Sequence, residues 1–152
     1  MPTILVADPD SQTAEMIEER LPREAAVRAT TRSEEVLRTL ADEPIDLLVA
    51  DLHLPGLGGS ELLPYVREHS PETQVLLVAA FGSVEDAVGA IHAGAADFLC
   101  KPFTSEQLDV AIRRALDTGR LRRENRSLRR ALELDSGLDR IVSTDPAMAR
   151  IF

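Results

Sequence analysis

The sequence predicts an α/β fold, a doubly wound parallel sheet in which five strands alternate with five helices. Three segments are apolar on consecutive residues, as strands covered on both faces of a parallel sheet are: Thr3–Ala7, Leu47–Ala50 and Val75–Ala80. Segments with the apolar spacing of helices lie between them. The first two runs are each followed at once by an aspartate, Asp8 and Asp51, so acids are expected where these strands end.

The first strand, Thr3–Ala7, leads into a helix for which Ser11 is the predicted N-cap. The next proline, Pro22, ends this helix. Its inward face is formed by Ala14, Ile17 and Leu21.

The second strand is predicted over Ala25–Ala29, and Arg28 favours an edge position for it. Ser33 is expected to cap the following helix, which ends near Pro44. The inward positions of this helix are Val36, Leu37 and Leu40.

The central strand ends in Asp51 and is followed by a turn that is rich in glycine and proline. A shorter helix is predicted over Glu61–His69, which places Pro64 in its first turn, where proline is tolerated.

The fourth strand, Val75–Ala80, precedes a helix that Ser83 opens and Gly94 ends. A weaker fifth strand is predicted over Asp97–Cys100, and Thr104 or Ser105 starts the last helix. The fourth helix is expected to face the core with Val84, Ala87, Val88 and Ile91, and the last with Leu108, Ala111, Ile112 and Ala115.

The strand order 2-1-3-4-5 places the two weaker strands at the edges, which is the flavodoxin-like arrangement. It brings Asp8, Asp51, Ala79 and Lys101 to one carboxyl edge of the sheet, where ligands of such sheets bind. From position alone, Asp51 fits a metal ligand, a nucleophile or a helix N-cap.

Composition and charge restrict the class of protein. The 152 residues contain no membrane-length apolar run and no signal-like N-terminus, and the single Cys100 fits a reducing compartment, so a cytoplasmic location is expected. Residues 1–103 carry 7 Lys and Arg against 18 Asp and Glu, which argues against nucleic-acid binding by this part. Residues 104–135 carry 8 against 6 and are a different kind of segment.

Residues 3–116 resemble a response-regulator receiver domain, a CheY-like fold. Four stretches match it: Asp8 after the first strand, DLHLPGLGG from Asp51, AFGS from Ala80, and DFLCKPF from Asp97. The resemblance implies that Asp51 accepts a phosphoryl group from the phosphohistidine of a sensor histidine kinase. It also implies Mg²⁺ held by Asp8, Asp51 and the backbone carbonyl of His53.

Further roles follow from the same resemblance. Lys101 is the fixed cation of such a site, before a Pro102 whose peptide bond is cis in the family. Positions 79 and 98 are the switch pair, a Thr or Ser and an aromatic; here they are Ala79 and Phe98, and Phe98 also fits a static packing role.

Two positions depart from the family pattern. Pro9 stands where receivers carry a second acid that contacts the metal, and Ala79 lacks the hydroxyl that binds a phosphoryl oxygen. Asp10 is favoured as an N-terminal cap over a displaced metal ligand. We therefore expect weak Mg²⁺ binding and a divergent receiver that is phosphorylated slowly or not at all. The alternative is a pseudo-receiver that acts as an interaction or dimerisation domain without phosphorylation.

Residues 119–135 are predicted to be a helical coiled-coil linker that dimerises the chain, following a receiver over 1–118. Its apolar seam has spacings of 4, 3 and 4, and an Asn in such a seam favours a parallel dimer. The seam is Leu121, Asn125, Leu128 and Leu132. Two heptads are marginal, so the receiver's last helix is expected to contribute to the dimer. The flanking arginines fit solvated faces of the coiled coil better than a DNA contact.

Residues 136–152 contain IVSTDPAMARIF, which resembles the start of the AAA+ domain of NtrC-like, sigma-54-dependent activators. This implies a homodimeric regulatory module, not an enzyme, whose full-length protein carries AAA+ and DNA-binding domains. A flavin carrier on the same fold is disfavoured because no phosphate-binding loop follows the first strand.

Overall fold

The computed structural model describes residues 1–80 and 84–142, except for the side chains of residues 59, 60 and 133–142. Five strands alternate with five helices along these residues. The strands are β1 (Thr3–Ala7), β2 (Ala26–Thr30), β3 (Leu47–Asp51), β4 (Gln74–Ala79) and β5 (Asp97–Cys100). The helices are α1 (Gln12–Arg20), α2 (Ser33–Asp42), α3 (Gly59–His69), α4 (Val84–His92) and α5 (Ser105–Val142).

The strands form one parallel sheet in the order β2-β1-β3-β4-β5, which confirms the predicted topology. β3 lies in the centre and is buried along its whole length. Side chains alternate between the faces of the sheet, so Val49 packs with α1 and α5 and Leu48 packs with α2 and α3. The two cores fix the strands, and with them the carboxyl edge where Asp51 ends β3.

The capping residues differ in part from the prediction. Ser11 occupies the N-cap position of α1 without a side-chain cap bond, and Asp10 Oδ1 accepts the N–H of Gln12 instead, at 3.0 Å. Ser33 was predicted as a cap but is the first residue of α2. Its Oγ accepts the N–H of Leu57 at 2.8 Å, so the hydroxyl serves a distant loop.

The start of α3 is two residues earlier than predicted. The N–H groups of Glu61 and Leu62 both bond to the carbonyl of Gly58, at 3.0 and 2.9 Å, and this closes the first turn upstream. Pro64 therefore lies inside the helix and not in its first turn, and it has no N–H for the carbonyl four residues back.

The orientation predicted for α4 is wrong. Val84, Val88 and Ile91 are 80%, 49% and 45% exposed, whereas Ala90 is buried. The helix has two adjoining apolar stripes, and the alanine stripe packs against the sheet because small side chains allow a closer approach. The larger stripe faces outward.

Gly94 ends α4 as predicted, because its φ of +107° is open mainly to glycine. The N–H of Ala95 bonds to the carbonyl of Ala90, and that of Gly94 bonds to Ile91, both at 3.0 Å. This pair of bonds is a Schellman motif.

The last helix begins with a reciprocal cap. The Thr104 hydroxyl accepts the Gln107 N–H at 3.1 Å, and the Gln107 side chain accepts the Thr104 N–H at 2.9 Å. The predicted core face of α5 is buried: Leu108, Ala111, Ile112 and Ala115.

The chain divides into two compact units, Met1–Gly119 and Arg120–Phe152. In the second unit, Leu121, Leu128 and Leu132 are 57%, 65% and 64% exposed. Of the segment predicted to start an AAA+ domain, 136–152, residues 136–142 continue α5 and residues 143–152 lie outside the described residues. No helix in the described part is long and apolar enough to cross a bilayer.

Candidate functional site

Three charged side chains meet at the carboxyl edge of the sheet, each carried there by the end of a different strand. Asp8 follows β1, Asp51 ends β3, and Lys101 follows β5. The ammonium Nζ of Lys101 lies 2.7 Å from Asp8 Oδ2 and 3.0 Å from Asp51 Oδ2. The sequence predicted this convergence from the strand order, and the structure brings all three residues together.

Asp51 is held in a turn that begins at the strand end. Its Oδ1 accepts the N–H of His53 at 2.7 Å, and its backbone carbonyl accepts the N–H of Leu54 at 3.2 Å. The residue is 6% exposed. Its Oδ1 is bonded within the turn and its Oδ2 to Lys101. The His53 side chain itself is exposed.

Among the described residues, more donors contact the carboxylate of Asp8 than that of Asp51. Asp8 Oδ1 accepts the N–H of Asp10 at 2.9 Å. Its Oδ2 accepts both the Thr13 hydroxyl, at 3.0 Å, and Lys101. The side chain is 1% exposed, and this set of donors compensates for the loss of water around a buried carboxylate.

Lys101 enters the site from a fixed backbone. Its N–H bonds to the carbonyl of Ala79 at 2.7 Å, and its peptide bond to Pro102 is cis, as the resemblance implied. Burial works to lower the pKa of Lys101, but the hydrogen bonds and charges of Asp8 and Asp51 outweigh it and raise that pKa above its ordinary value. The side chain is therefore a permanent cation.

The loop between β1 and α1 supplies one carboxylate to the site. Pro9 is exposed and has no acid to offer, and the Asp10 carboxylate is turned to the start of α1. In the described residues, no cluster of three or more Asp, Glu, His or Cys side chains is placed to hold a metal ion. The remaining candidate donors are the two carboxylates and backbone oxygens.

The donor chemistry nevertheless suits a hard divalent cation. Asp8 and Asp51 already converge on one cation, the ammonium of Lys101. Mg²⁺ is commonly held in proteins by one or two carboxylates with waters and phosphate oxygens completing its shell. The two aspartates fit that pattern.

The predicted switch positions lie on the same face of the sheet. Ala79 is fully buried at the end of β4, and Phe98 on β5 is half-buried against the core formed with α2, α3 and α4. Leu77, two residues before Ala79, is the register partner of Phe98. Ala79 has only a methyl group to offer to this region.

Two residues of the site were missed at the sequence level, Thr13 and Ser33. Thr13 contacts Asp8, and Ser33 holds the loop after Asp51 through Leu57. The available signal for Thr13 was its place four residues before Ile17, a polar residue on the inward stripe of α1. No comparable local signal marks Ser33, whose partner is 24 residues away.

Comparisons with known proteins agree with this architecture. The profile of the family described as "Response regulator receiver domain" matches residues 4–113. The C4-dicarboxylate transport transcriptional regulatory protein DctD of Rhizobium meliloti (strain 1021) is 31% identical over 151 residues, which are 99% of this chain and 33% of that protein. The DNA-binding transcriptional regulator NtrC of Proteus hauseri is 29% identical over 150 residues, 98% of this chain and 31% of that protein.

A solved structure extends the likeness to three dimensions. The crystal structure of NtrX from Brucella abortus superposes with a TM-score of 0.75 at 32% identity, and covers 84% of this chain and 30% of that one. The chain spans about a third of the length of the curated relatives named above. It belongs to the response regulator receiver domain family, and its relatives are NtrC-like regulators of two-component systems.

Proposed function

We propose that Asp51 is the phosphoacceptor of this receiver and that the phosphoryl group comes from a phosphohistidine of a sensor histidine kinase. Receiver domains are regulatory phosphoacceptor domains that work with such kinases. The observation that carries the proposal is the contact of Lys101 with both Asp51 and Asp8 at the carboxyl edge of the sheet. A carboxylate beside a fixed cation is suited to attack a phosphorus atom whose oxygens carry negative charge.

The bonds formed and broken in the transfer involve only the phosphohistidine and Asp51. An oxygen of Asp51 forms a bond to phosphorus while the bond from phosphorus to the imidazole nitrogen breaks. The imidazole leaves with that electron pair and is protonated from solvent. The His53 N–H keeps the Asp51 carboxylate oriented, and Lys101 offsets charge on the phosphoryl oxygens.

Receiver domains generally bind Mg²⁺ where they are phosphorylated. In this chain, Asp8, Asp51 and the backbone carbonyl of His53 are the residues that would hold it. The ion supplies positive charge that offsets repulsion between the acids and the incoming phosphoryl group. We propose weak binding, because Pro9 replaces one acid and Asp10 is occupied as a cap.

Slow phosphorylation is part of the proposal. The pocket holds two carboxylates and one ammonium, so it carries excess negative charge when an anionic donor arrives. Ala79 contributes no hydroxyl to a phosphoryl oxygen. A response of Phe98 to phosphorylation would therefore act through its packing against the core.

The test is intact-mass measurement after incubation with acetyl phosphate and Mg²⁺. We expect the mass of one phosphoryl group to be added slowly to the native chain and not at all to Asp51→Asn. Asp97→Asn is the matched control. Asp97 begins β5, at the end of the strand away from the site, and its carboxylate accepts the Phe98 N–H. Equal modification of Asp51→Asn would contradict the assignment.

A second candidate is an interaction domain that works without phosphorylation, and the pair of departures at Pro9 and Ala79 favours it. Beryllofluoride with Mg²⁺ separates the two. Hydrogen-exchange protection around Asp51 and β5 supports the switch. An unchanged exchange pattern together with an unmodified mass supports the interaction domain.

We further propose that the chain is the regulatory part of a cytoplasmic, sigma-54-dependent activator whose full-length protein carries AAA+ and DNA-binding domains. The likeness to DctD runs over 99% of the chain and so includes the linker at 119–135 and the stretch 136–152. The exposed leucines of the linker support a homodimer, and its output is a change of dimer geometry.

A further inference from the structure

Thr13 is a buried hydroxyl residue in the first turn of α1, 2% exposed. Its Oγ1 donates to Asp8 Oδ2 at 3.0 Å. A β-branched side chain in a helix has few rotamers, so this hydroxyl is aimed by the helix itself. The contact connects α1 to the Asp8 carboxylate, which lies on the loop after β1.

The orientation of Asp8 matters more here than it would if the neighbouring residue also supplied a carboxylate. Pro9 offers no carboxylate and Asp10 is bonded to the start of α1, so Asp8 is the one acid that this loop turns to Asp51. A single carboxylate has to be oriented well to contribute to a cation site.

The other donor to Asp8 Oδ2 is shared. Lys101 contacts Asp8 and Asp51 together, at 2.7 and 3.0 Å. A phosphoryl oxygen on Asp51 would compete with Asp8 for the ammonium of Lys101. The Thr13 hydroxyl and the Asp10 N–H are then the donors that keep Asp8 in place.

We propose that Thr13 is a positioning residue for Asp8, and that its hydroxyl holds the carboxylate toward Asp51 for divalent-cation binding. The inference rests on the function proposed above, because it assigns Asp8 to the cation. It gives the chain a partial substitute for the acid that Pro9 replaces: the remaining acid is held more firmly by the helix.

The experiment is a titration of the full chain with Mg²⁺ in the native chain, Thr13→Val and Thr13→Ser. It is followed through the amide resonances of residues 8, 10–13 and 51–54. Loss of an outer contact of this kind typically weakens metal binding about tenfold or more. We expect the dissociation constant to rise by about that factor in Thr13→Val. Thr13→Ser restores the hydroxyl and is expected to bind as the native chain does.

Thr73→Val is the control for removal of a buried hydroxyl. Thr73 is 4% exposed and donates to the carbonyl of Ile45 at 2.7 Å, at the opposite edge of the sheet. We expect Thr73→Val to lose stability but to keep the native affinity for Mg²⁺. The melting temperature of Thr73→Val shows how much stability the loss of a buried hydroxyl costs, and that of Thr13→Val is compared with it.

Two results overturn the inference while leaving the proposed function intact: native affinity in Thr13→Val, or equal weakening in Thr13→Val, Thr13→Ser and Thr73→Val. A native chain whose amides near Asp8 and Asp51 show no saturable shift overturns both the cation role of Asp8 and the role of Thr13. The mass test on Asp51 still decides phosphorylation in that case.

Discussion

Lys101 sets the charge of the pocket before any phosphoryl group arrives. One ammonium serves two buried carboxylates, and its raised pKa keeps it protonated across the neutral range. The remaining excess of negative charge is what a divalent ion would neutralise. A phosphoryl oxygen on Asp51 would be a third acceptor for the same ammonium, so the acceptors of the pocket compete for one cation.

Gly56 is one of the tightly packed residues in the turn after Asp51. Its φ of +94° is unfavourable for residues with a Cβ, and a Cβ built there would lie 2.1 Å from the Ser33 Oγ. Both constraints act on the loop that carries His53. The hydrogen bond from the Leu57 N–H to Ser33 Oγ fastens the same loop to α2, at the carboxyl edge where Asp51 ends β3.

We expect Gly56→Ala to lower the free energy of unfolding by about 2 kcal/mol or more, because it combines backbone strain with a clash. Urea unfolding measures the change. Gly89→Ala is the matched control: no atom lies within 4 Å of its added Cβ, and alanine in a helix is about 0.5–1 kcal/mol more favourable than glycine. A Gly56→Ala protein as stable as the native chain would contradict this account of the turn.

Helix α4 shows how an element can satisfy its sequence pattern in two ways. Val84, Val88 and Ile91 have the spacing of an inward stripe, yet they face outward while Ala90 is buried. Ala87, three residues before Ala90, is half-buried. Close packing of small residues on the sheet decides the rotation of the helix.

At this element we expect Val88→Ser to change the free energy of unfolding by less than about 0.5 kcal/mol, as exposed substitutions commonly do. Ala90→Leu should cost about 1–3 kcal/mol, because added volume overpacks the interface with the sheet. Urea unfolding of both variants gives the comparison. The reverse ranking would restore the orientation that the sequence predicted.

A second element-level feature joins α1 to α5. Asp109 pairs with Arg20 at 3.2 Å and with Arg113 at 2.7 Å, and Arg113 also pairs with Glu24 at 2.7 Å. Burial works to raise the pKa of Asp109, but the two arginines outweigh it and lower that pKa. These ion pairs are exposed on the arginine side and contribute modestly to stability.

For the molecule as a whole, charge is divided along the chain. The acidic part ends near residue 103, and the arginine-rich linker follows it. Exposure of the linker leucines to water is unfavourable, and their spacing matches a coiled-coil seam. We propose a second copy of the chain as the partner of this seam.

We expect the 16.6 kDa chain to sediment as a dimer, and Leu121→Lys with Leu128→Lys to yield a monomer. Because both leucines are exposed within one chain, the double substitution should leave the receiver's own stability unchanged. Ser127→Lys adds one positive charge beside the seam and serves as the control for added lysine on this surface. A dimer that survives the double substitution would show that the seam is not the interface.

The sequence by itself determined the strands, their order and the edge at which Asp8, Asp51 and Lys101 meet. These features depend on local hydrophobic period and on rules of connection, and both can be applied to a printed sequence. The elements with the clearest apolar runs, β1 and β3, agree with the structure almost residue for residue. The resemblance to receivers then added roles that periodicity cannot give.

Only the tertiary structure decided which polar groups bond to one another. Ser33 and Leu57 are 24 residues apart, Thr13 donates to Asp8 from the following helix, and the rotation of α4 depends on the surface beneath it. Such contacts are settled by packing across elements, because protein interiors are close-packed and contain few voids. Local propensity contains no information about that fit.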